Sequence, residues 1–200
     1  MPVSFPEILA SARANTGEDL LAMSRRDPLL LTFLRHSGCT FCREALARLG
    51  ARRQAIESEG TRVAFVHMGT DEQARPLFER YGLGDAPRVS DPGRSLYRAV
   101  GLERGDLLQL LGPRVLARGI GGLLRGYGVG RMVGDVRQLP GVFLVRDGRL
   151  IRAFRHETAA DRPDYEDLAR CAGRQGHSPE KLTTTAISDS TARPPSVAGR

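Results

Sequence analysis

Two uninterrupted apolar runs stand out in the first third of the chain. Residues 29–34 (LLLTFL) and 62–68 (RVAFVHM) are short and do not alternate with polar residues, which is typical of strands buried on both faces. Between them, apolar residues recur at helical spacing over 42–56, with Arg and Glu on the opposite face, and Gly60 ends the predicted helix. Strand, helix and strand in this order predict a βαβ unit with parallel strands.

Helix-start signals flank this unit on both sides. The segment from Ser4 to Glu7 has the pattern of a capping box, and Thr16 with Asp19 forms a second start signal. Together they predict an N-terminal helical extension over residues 1–28. Another helix is predicted over 70–81, opening on a similar polar cap.

The second half of the chain contains the clearest hairpin signal. Two apolar segments, 142–145 and 149–154, are separated by Arg-Asp-Gly, and an Asp-Gly turn is typical of a tight β-hairpin. A final helix is predicted over 164–171. From residue 173 the chain turns to Ser, Thr, Pro, Gly and Ala without periodicity, so we predict a disordered tail over 173–200.

Strands and helices alternate along the predicted domain, which spans 29–172, and residues 103–138 interrupt this alternation. No acidic residue lies between Asp106 and Asp135, whereas this stretch carries four arginines and repeated glycines. We interpret it as an insertion with a helix near 106–118, followed by a flexible Gly-rich connection.

Composition narrows the function classes. The chain has 200 residues and a net charge of +7, from 30 basic and 23 acidic residues. Lys181 is the one lysine, and the arginines sit beside acids along most of the chain, which favours solvated faces over a nucleic-acid surface. No apolar run is long enough to span a membrane, and the first residues lack a signal peptide, so the expected location is the reducing cytoplasm.

Two of the three cysteines form a Cys-x-x-Cys motif between the first predicted strand and its helix. This order places Cys39 near the helix N-cap and Cys42 one turn inside. Free N–H groups at a helix end stabilise a thiolate, so Cys39 is predicted to be the nucleophile and Cys42 the resolving thiol. Arg35 and His36 precede the motif, and we expect them to add positive potential and to help position the substrate.

Other interpretations of these residues remain open. A structural zinc site needs four ligands, and His36, His67 or His156 would have to complete it. The two cysteines would otherwise be a coincidental buried pair. His67 and His156 are predicted to be hydrogen-bonded core histidines, and Cys171 a spectator thiol on the last helix. Haem attachment is excluded because Arg43 stands where a histidine is required.

Residues 138–148 (QLPGVFLVRDG) resemble the thioredoxin pattern in which a cis-proline opens the strand before a Gly turn. The resemblance implies a cis Leu139–Pro140 bond in a loop that faces Cys39 and Cys42 and positions the substrate sulfur. In the alternative interpretation, Pro140 simply starts an edge strand.

Three further segments, 38–44 (GCTFCRE), 70–83 and 90–102, resemble the peroxiredoxin-like family of the AhpC/TSA type, in its selenoprotein-L-like branch. This resemblance covers residues 5–170. It implies the thioredoxin-like α/β fold, with a mixed central sheet flanked by helices. The usual peroxiredoxin signature, Pro-x-x-x-Thr/Ser-x-x-Cys, is absent from the segment before Cys39.

The resemblance implies a thiol-dependent oxidoreductase. Cys39 attacks a peroxide or disulfide, Cys42 resolves the product, and a thioredoxin-like or glutathione-type reductant resets the pair without a metal or organic cofactor. The alternative is a redox-responsive binding protein. In that case the Arg-rich and Gly-rich insertion contacts a partner, a membrane surface or nucleic acid, and the cysteines act only as a switch.

Overall fold

The computed structural model describes residues 3–106, 110, 112–124, 126–127 and 134–170. The predicted tail over 173–200 and Cys171 lie outside the described residues. In chain order, the elements of the described part are α1 (Phe5–Ser11), α2 (Leu20–Arg26), β1 (Leu29–Phe33), α3 (Thr40–Ser58), β2 (Arg62–His67), α4 (Asp71–Arg80), β3 (Arg88–Ser90), α5 (Ser95–Ala99), α6 (Pro113–Leu124), β4 (Gly141–Arg146), β5 (Arg149–Arg155) and α7 (Tyr165–Ala169).

The strands form one mixed sheet of five, in the order β3-β2-β1-β4-β5. β1 pairs in parallel with β2, and β2 pairs in parallel with β3, so α3 and α4 are the crossover helices. β4 runs antiparallel to both β1 and β5. These pairings confirm the predicted βαβ unit and the predicted hairpin.

Strand β1 lies at the centre of the sheet and is covered on both faces. Leu29, Leu31 and Phe33 belong to the core between the sheet and helices α1, α2 and α5. Leu30 belongs to the second core, together with residues of α3, α4 and α7, and so does Leu34 just after the strand. Covering on both faces explains why this run has no polar alternation.

The N-terminal helices pack directly on the sheet. Leu9 of α1 and Leu20 and Met23 of α2 are almost completely buried in the first core. At the far end of the sheet, the Ser24 hydroxyl accepts a hydrogen bond of 3.0 Å from the backbone N–H of Gly148 in the hairpin turn. The predicted helical extension is therefore part of the main hydrophobic core. In the described part of the chain, no helix is long and apolar enough to cross a membrane.

The helix of the insertion continues further than predicted. We expected a helix ending near residue 118 and a Gly-rich connection after it, whereas α6 runs to Leu124. Its glycines allow a close approach to α3: a Cβ placed on Gly122 would lie only 2.7 Å from Cγ2 of Thr40. Tertiary packing thus overrides the low helix propensity of glycine. Residues 107–109 and 111, within the predicted helix, lie outside the described residues.

Two glycines of α6 are expected to respond in opposite directions when they are replaced by alanine. A Cβ on Gly119 would lie 3.8 Å from Cζ of Phe41, an ordinary contact, so Gly119→Ala should stabilise the protein by up to about 1 kcal/mol through helix propensity. Gly122→Ala should destabilise it by about 1 kcal/mol because the Thr40 methyl group blocks the new atom.

Denaturant unfolding of both variants checks this difference, and Thr40→Ser in the Gly122→Ala background should restore part of the lost stability. Equal effects of the two alanines would show that α6 does not pack on α3 in this way.

Candidate active site

The two motif cysteines lie at the start of α3, shortly after the end of β1. Cys39 is the N-cap of α3, with φ −75° and ψ 122°, and Cys42 lies within the first turn. The backbone N–H of Cys39 donates to the carbonyl of His36 at 3.1 Å, and the N–H of Arg43 donates to the carbonyl of Cys39 at 3.1 Å. The predicted place of the motif is confirmed. Both cysteines are buried and carry free thiols.

The surroundings of the two thiols give them opposite acidities. A hydrogen bond from the Cys42 thiol lowers the pKa of Cys39 to about 6, with help from the Arg35 guanidinium and the backbone N–H groups of Cys42 and Phe41, although burial opposes this shift. The same hydrogen bond and burial raise the pKa of Cys42 well above its ordinary value. These shifts favour a thiolate on Cys39 over a thiolate on Cys42.

Arg35 connects the thiol pair to the loop before β4. Its backbone N–H donates to Sγ of Cys42 at 3.3 Å, and its Nη1 lies 3.7 Å from Sγ of Cys39. The rest of the guanidinium donates to the carbonyls of Gln138, at 2.9 Å, and of Val136, at 2.5 Å. Only 6% of Arg35 is exposed, so its charge is held rigidly beside Cys39. The sequence indicated positive potential here but not the direction of the side chain.

The expectation of a cis bond before Pro140 is wrong. The described part of the chain contains no cis peptide bond. Gly105 N–H donates to the Arg137 carbonyl at 2.7 Å, and Leu139 N–H donates to the Glu103 carbonyl at 3.2 Å, so Arg104 and Gln138 form an isolated antiparallel bridge before β4. The Leu139–Pro140 bond that follows is trans, which is the ordinary form of a bond before proline. Pro140 still borders the same cleft as Cys42.

A shallow cleft opens beside the motif, and Cys42 lines it whereas Cys39 does not. Its lining is mainly apolar. These apolar lining residues are Phe33, Leu34, Phe41, Ala45, Pro140, Val142, Ala159 and Ala160. Charged side chains stand at one side, namely Glu44, Arg48, Asp161 and Arg162. The lining therefore combines an apolar wall with charged groups along one side.

Glu44 is a buried carboxylate that the sequence reasoning did not single out. Its side chain is 7% exposed and pairs with Arg162 at 2.8 Å and with Arg48 at 3.5 Å. Arg162 comes from the loop before α7, far away in sequence, so the pattern of α3 alone predicted only a solvated polar face here. The two arginines compensate the buried charge and close one side of the cleft.

The three histidines considered as metal ligands lie apart from any ligand cluster. Within the described residues, no group of three or more His, Cys, Asp or Glu side chains is arranged to hold a metal ion. His36 and His67 border a second pocket that neither cysteine lines, and His156 borders the cleft. His67 is buried, as expected of a core histidine, although its ring nitrogens make no hydrogen bond of ordinary geometry with the described residues.

Acid is expected to destabilise the fold through two of these histidines. Burial lowers the pKa of His67 and of His156 to about 4, whereas both titrate near 6.5 when unfolded. Between about pH 6.5 and 4, these histidines are therefore protonated in the unfolded chain but neutral in the folded chain. The free energy of unfolding should fall as the pH drops through this range. Each histidine contributes up to about 3 kcal/mol to this loss. Urea unfolding across this range checks it, and His67→Phe should make the slope shallower; an unchanged slope would contradict the assignment.

Comparison with known proteins assigns this chain to a family. The sequence pattern of the AhpC/TSA antioxidant enzyme family matches residues 48–158, more than half of the chain, although the match starts after Cys42. The prostamide/prostaglandin F synthase of Danio rerio is 25% identical over 167 residues, covering 79% of this chain and 81% of that protein. The synthase of the same name from Salmo salar is 25% identical over 158 residues, covering 76% and 78%.

Solved structures show the same fold at low sequence identity. Peroxiredoxin Q of Xanthomonas campestris superposes with a TM-score of 0.52 at 16% identity, covering 72% of this chain and 78% of that one. The peroxidoxin BcpB of Mycobacterium tuberculosis gives a TM-score of 0.54 at 14% identity, covering 79% and 86%. The mixed sheet with helices on both faces is thus the thioredoxin-like fold of the peroxiredoxins, as the sequence resemblance implied. The chain belongs to the AhpC/TSA antioxidant enzyme family.

Proposed function

We propose that the protein reduces an organic peroxide through a dithiol–disulfide cycle of Cys39 and Cys42. The observation that carries the proposal is the hydrogen-bonded thiol pair at the N-terminus of α3, with the Arg35 guanidinium 3.7 Å from Sγ of Cys39. With a pKa of about 6, the Cys39 thiol is mostly ionised at neutral pH. The resulting thiolate is the nucleophilic form of cysteine.

The cycle balances with these two residues alone. The Cys39 thiolate attacks one peroxide oxygen, the O–O bond breaks, and the leaving alkoxide takes a proton to become an alcohol. Cys39 is then a sulfenic acid. The Cys42 sulfur attacks the Cys39 sulfur, the S–O bond breaks, and hydroxide leaves with the Cys42 proton as water. The product is a Cys39–Cys42 disulfide, and two electrons have passed to the peroxide.

The apolar cleft supports an organic substrate over hydrogen peroxide. Its aromatic and aliphatic lining offers hydrophobic contact to a molecule several carbons long, which hydrogen peroxide cannot use. Two relatives are named as prostamide/prostaglandin F synthases, and prostaglandins are lipids, so a lipid hydroperoxide belongs among the candidate substrates. Cys42 lines this cleft and is hydrogen-bonded to Cys39. Pro140 and Phe41 are therefore the side chains we propose to hold the carbon chain of the substrate while its O–O group extends past Cys42 to Sγ of Cys39.

A small dithiol or a thioredoxin-like protein is the proposed reductant. Attack of an external thiolate on the Cys39–Cys42 disulfide forms a mixed disulfide, and a second thiol releases both cysteines in reduced form. Such reductants are kept active in the cytoplasm, which is therefore the compartment we propose.

A coupled assay tests the proposal. NADPH, thioredoxin reductase and thioredoxin are mixed with the protein and with hydrogen peroxide, an alkyl hydroperoxide, a lipid hydroperoxide or a model disulfide. We expect sustained NADPH consumption with the organic peroxides and slower consumption with hydrogen peroxide. A single stoichiometric oxidation without turnover would instead support the redox switch, and activity on the model disulfide alone would support a general disulfide reductase.

A further inference from the structure

Helix α6 presents a row of large aliphatic side chains to solvent. Leu116, Ile120 and Leu124 follow one another at intervals of four residues and are 61%, 52% and 85% exposed. Residues at this spacing share one face of a helix. Three exposed aliphatics in a row form a continuous apolar strip, which is unusual on a soluble surface and marks an interaction site.

The opposite face of α6 is fixed to the body of the protein. Val115 is 5% exposed and belongs to a small core with Leu139 and Ala159. Arg118 Nη1 donates to the carbonyl of Ala160 at 2.7 Å. Together with the contact between Gly122 and Thr40, these interactions hold the helix with its apolar strip directed outwards.

The segment that carries the strip is basic in sequence. Residues 107–134, which include α6, contain four arginines and no Asp or Glu, and the whole chain has a net charge of +7. A helix with an apolar face among arginines has the composition of helices that lie in the headgroup region of a membrane. Nucleic acid would match the charge but offers no apolar interior for the aliphatic strip. A second copy of this chain would bring like charges together.

We propose that α6 is an interfacial helix that binds an anionic phospholipid surface, with Leu116, Ile120 and Leu124 inserted among the acyl chains near the headgroups. The arginines of the insertion supply the attraction to lipid phosphates. This binding stands apart from the redox chemistry, since it involves neither cysteine. Because α6 packs on Thr40 and Phe41, the docked protein would hold its thiol pair close to the lipid surface.

Vesicle co-sedimentation of the full chain tests the proposal. We expect binding to phosphatidylcholine vesicles that contain phosphatidylglycerol, much weaker binding to phosphatidylcholine alone, and release by added salt. Leu116→Ser/Ile120→Ser/Leu124→Ser should weaken the binding about tenfold or more. The matched control is Leu150→Ser/Ile151→Ser, which removes aliphatics that are 38% and 42% exposed on β5 and should leave binding unchanged.

A spectroscopic readout keeps the test independent of how well the triple variant folds. The chain contains no tryptophan, so Leu124→Trp introduces a single emitter at a position that is 85% exposed. Its emission should shift to the blue when anionic vesicles are added and should not respond to neutral ones.

Three results would overturn the proposal. One is equal binding of the wild type and the triple variant to anionic vesicles, and another is a tryptophan emission that vesicles do not change. The third is a wild-type dimer in light scattering that the triple substitution converts to a monomer while vesicle binding is absent, which would make the strip a contact between two copies.

Discussion

Cys39→Ser is expected to abolish peroxide turnover, whereas Cys42→Ser should permit at most one slow cycle. A serine hydroxyl at position 39 stays protonated at neutral pH and cannot attack the O–O bond. Without Cys42, the sulfenic acid on Cys39 has no neighbouring thiol to condense with and should accumulate. Removing Cys42 also removes the hydrogen bond that contributes most to the low pKa of Cys39, so that first step should slow as well.

Selective alkylation and mass spectrometry measure this asymmetry. Near pH 6, iodoacetamide should label Cys39 much faster than Cys42 in the reduced protein, because only Cys39 is substantially a thiolate there. After one equivalent of peroxide, a peptide pair joined through Cys39 and Cys42 should appear. Faster labelling of Cys42 or Cys171 would contradict the assigned roles, and a pair that resists both reagents would favour a bound metal.

Arg35→Met should slow turnover at pH 6 to 7 by about tenfold. The substitution removes the guanidinium beside Cys39, so the pKa of that thiol should rise and the thiolate fraction should fall. The sign is testable in the pH–rate profile: the rising limb should move to higher pH, and activity should recover in part at alkaline pH. Loss of the bonds to Gln138 and Val136 should also cost about 2 kcal/mol of stability.

Two further variants separate the charge of Arg35 from its packing. Arg35→Lys keeps a positive charge near Cys39 and should restore most of the pH profile, although it cannot reproduce all the bonds of a guanidinium. Arg43→Met is the matched control. Arg43 also donates to loop carbonyls, of Ser37 and Tyr127, but no bond joins it to either thiol, so its loss should leave the profile in place. A profile that moves equally in Arg35→Met and Arg43→Met would show that loop packing, rather than the guanidinium, sets the thiol pKa.

Local patterns were sufficient wherever the signal lies within one element. The apolar runs gave β1 and β2, the Asp-Gly turn gave the β4–β5 hairpin, and the capping box at Ser4 is present as predicted, with Glu7 bonded back to the Ser4 backbone. The place of Cys39 at the start of α3 followed from the order of strand, motif and helix. Each of these features depends on residues that are neighbours in sequence.

The expectations that did not hold were made from local patterns. The pattern around Pro140 did not determine its bond, which is trans, and α6 continues through its glycines because Thr40 and Phe41, distant in sequence, pack against them. The burial of Glu44 follows from Arg162, which reaches it from the other end of the domain. None of these contacts leaves a periodic signal in the local sequence.

The sequence by itself determined the strand and helix pattern, the thiol pair and the end of the helix that activates its first member. Those properties come from hydrophobic periodicity and backbone polarity, which act over one element. Only the tertiary structure decided what surrounds the two thiols. The carbonyls of Val136 and Gln138 hold the Arg35 guanidinium beside Cys39, and the cleft beside Cys42 is lined from β1, α3, β4 and residues 156–165, so both features arise where separate segments meet. Electrostatic and packing energies depend on distances that the linear order does not contain.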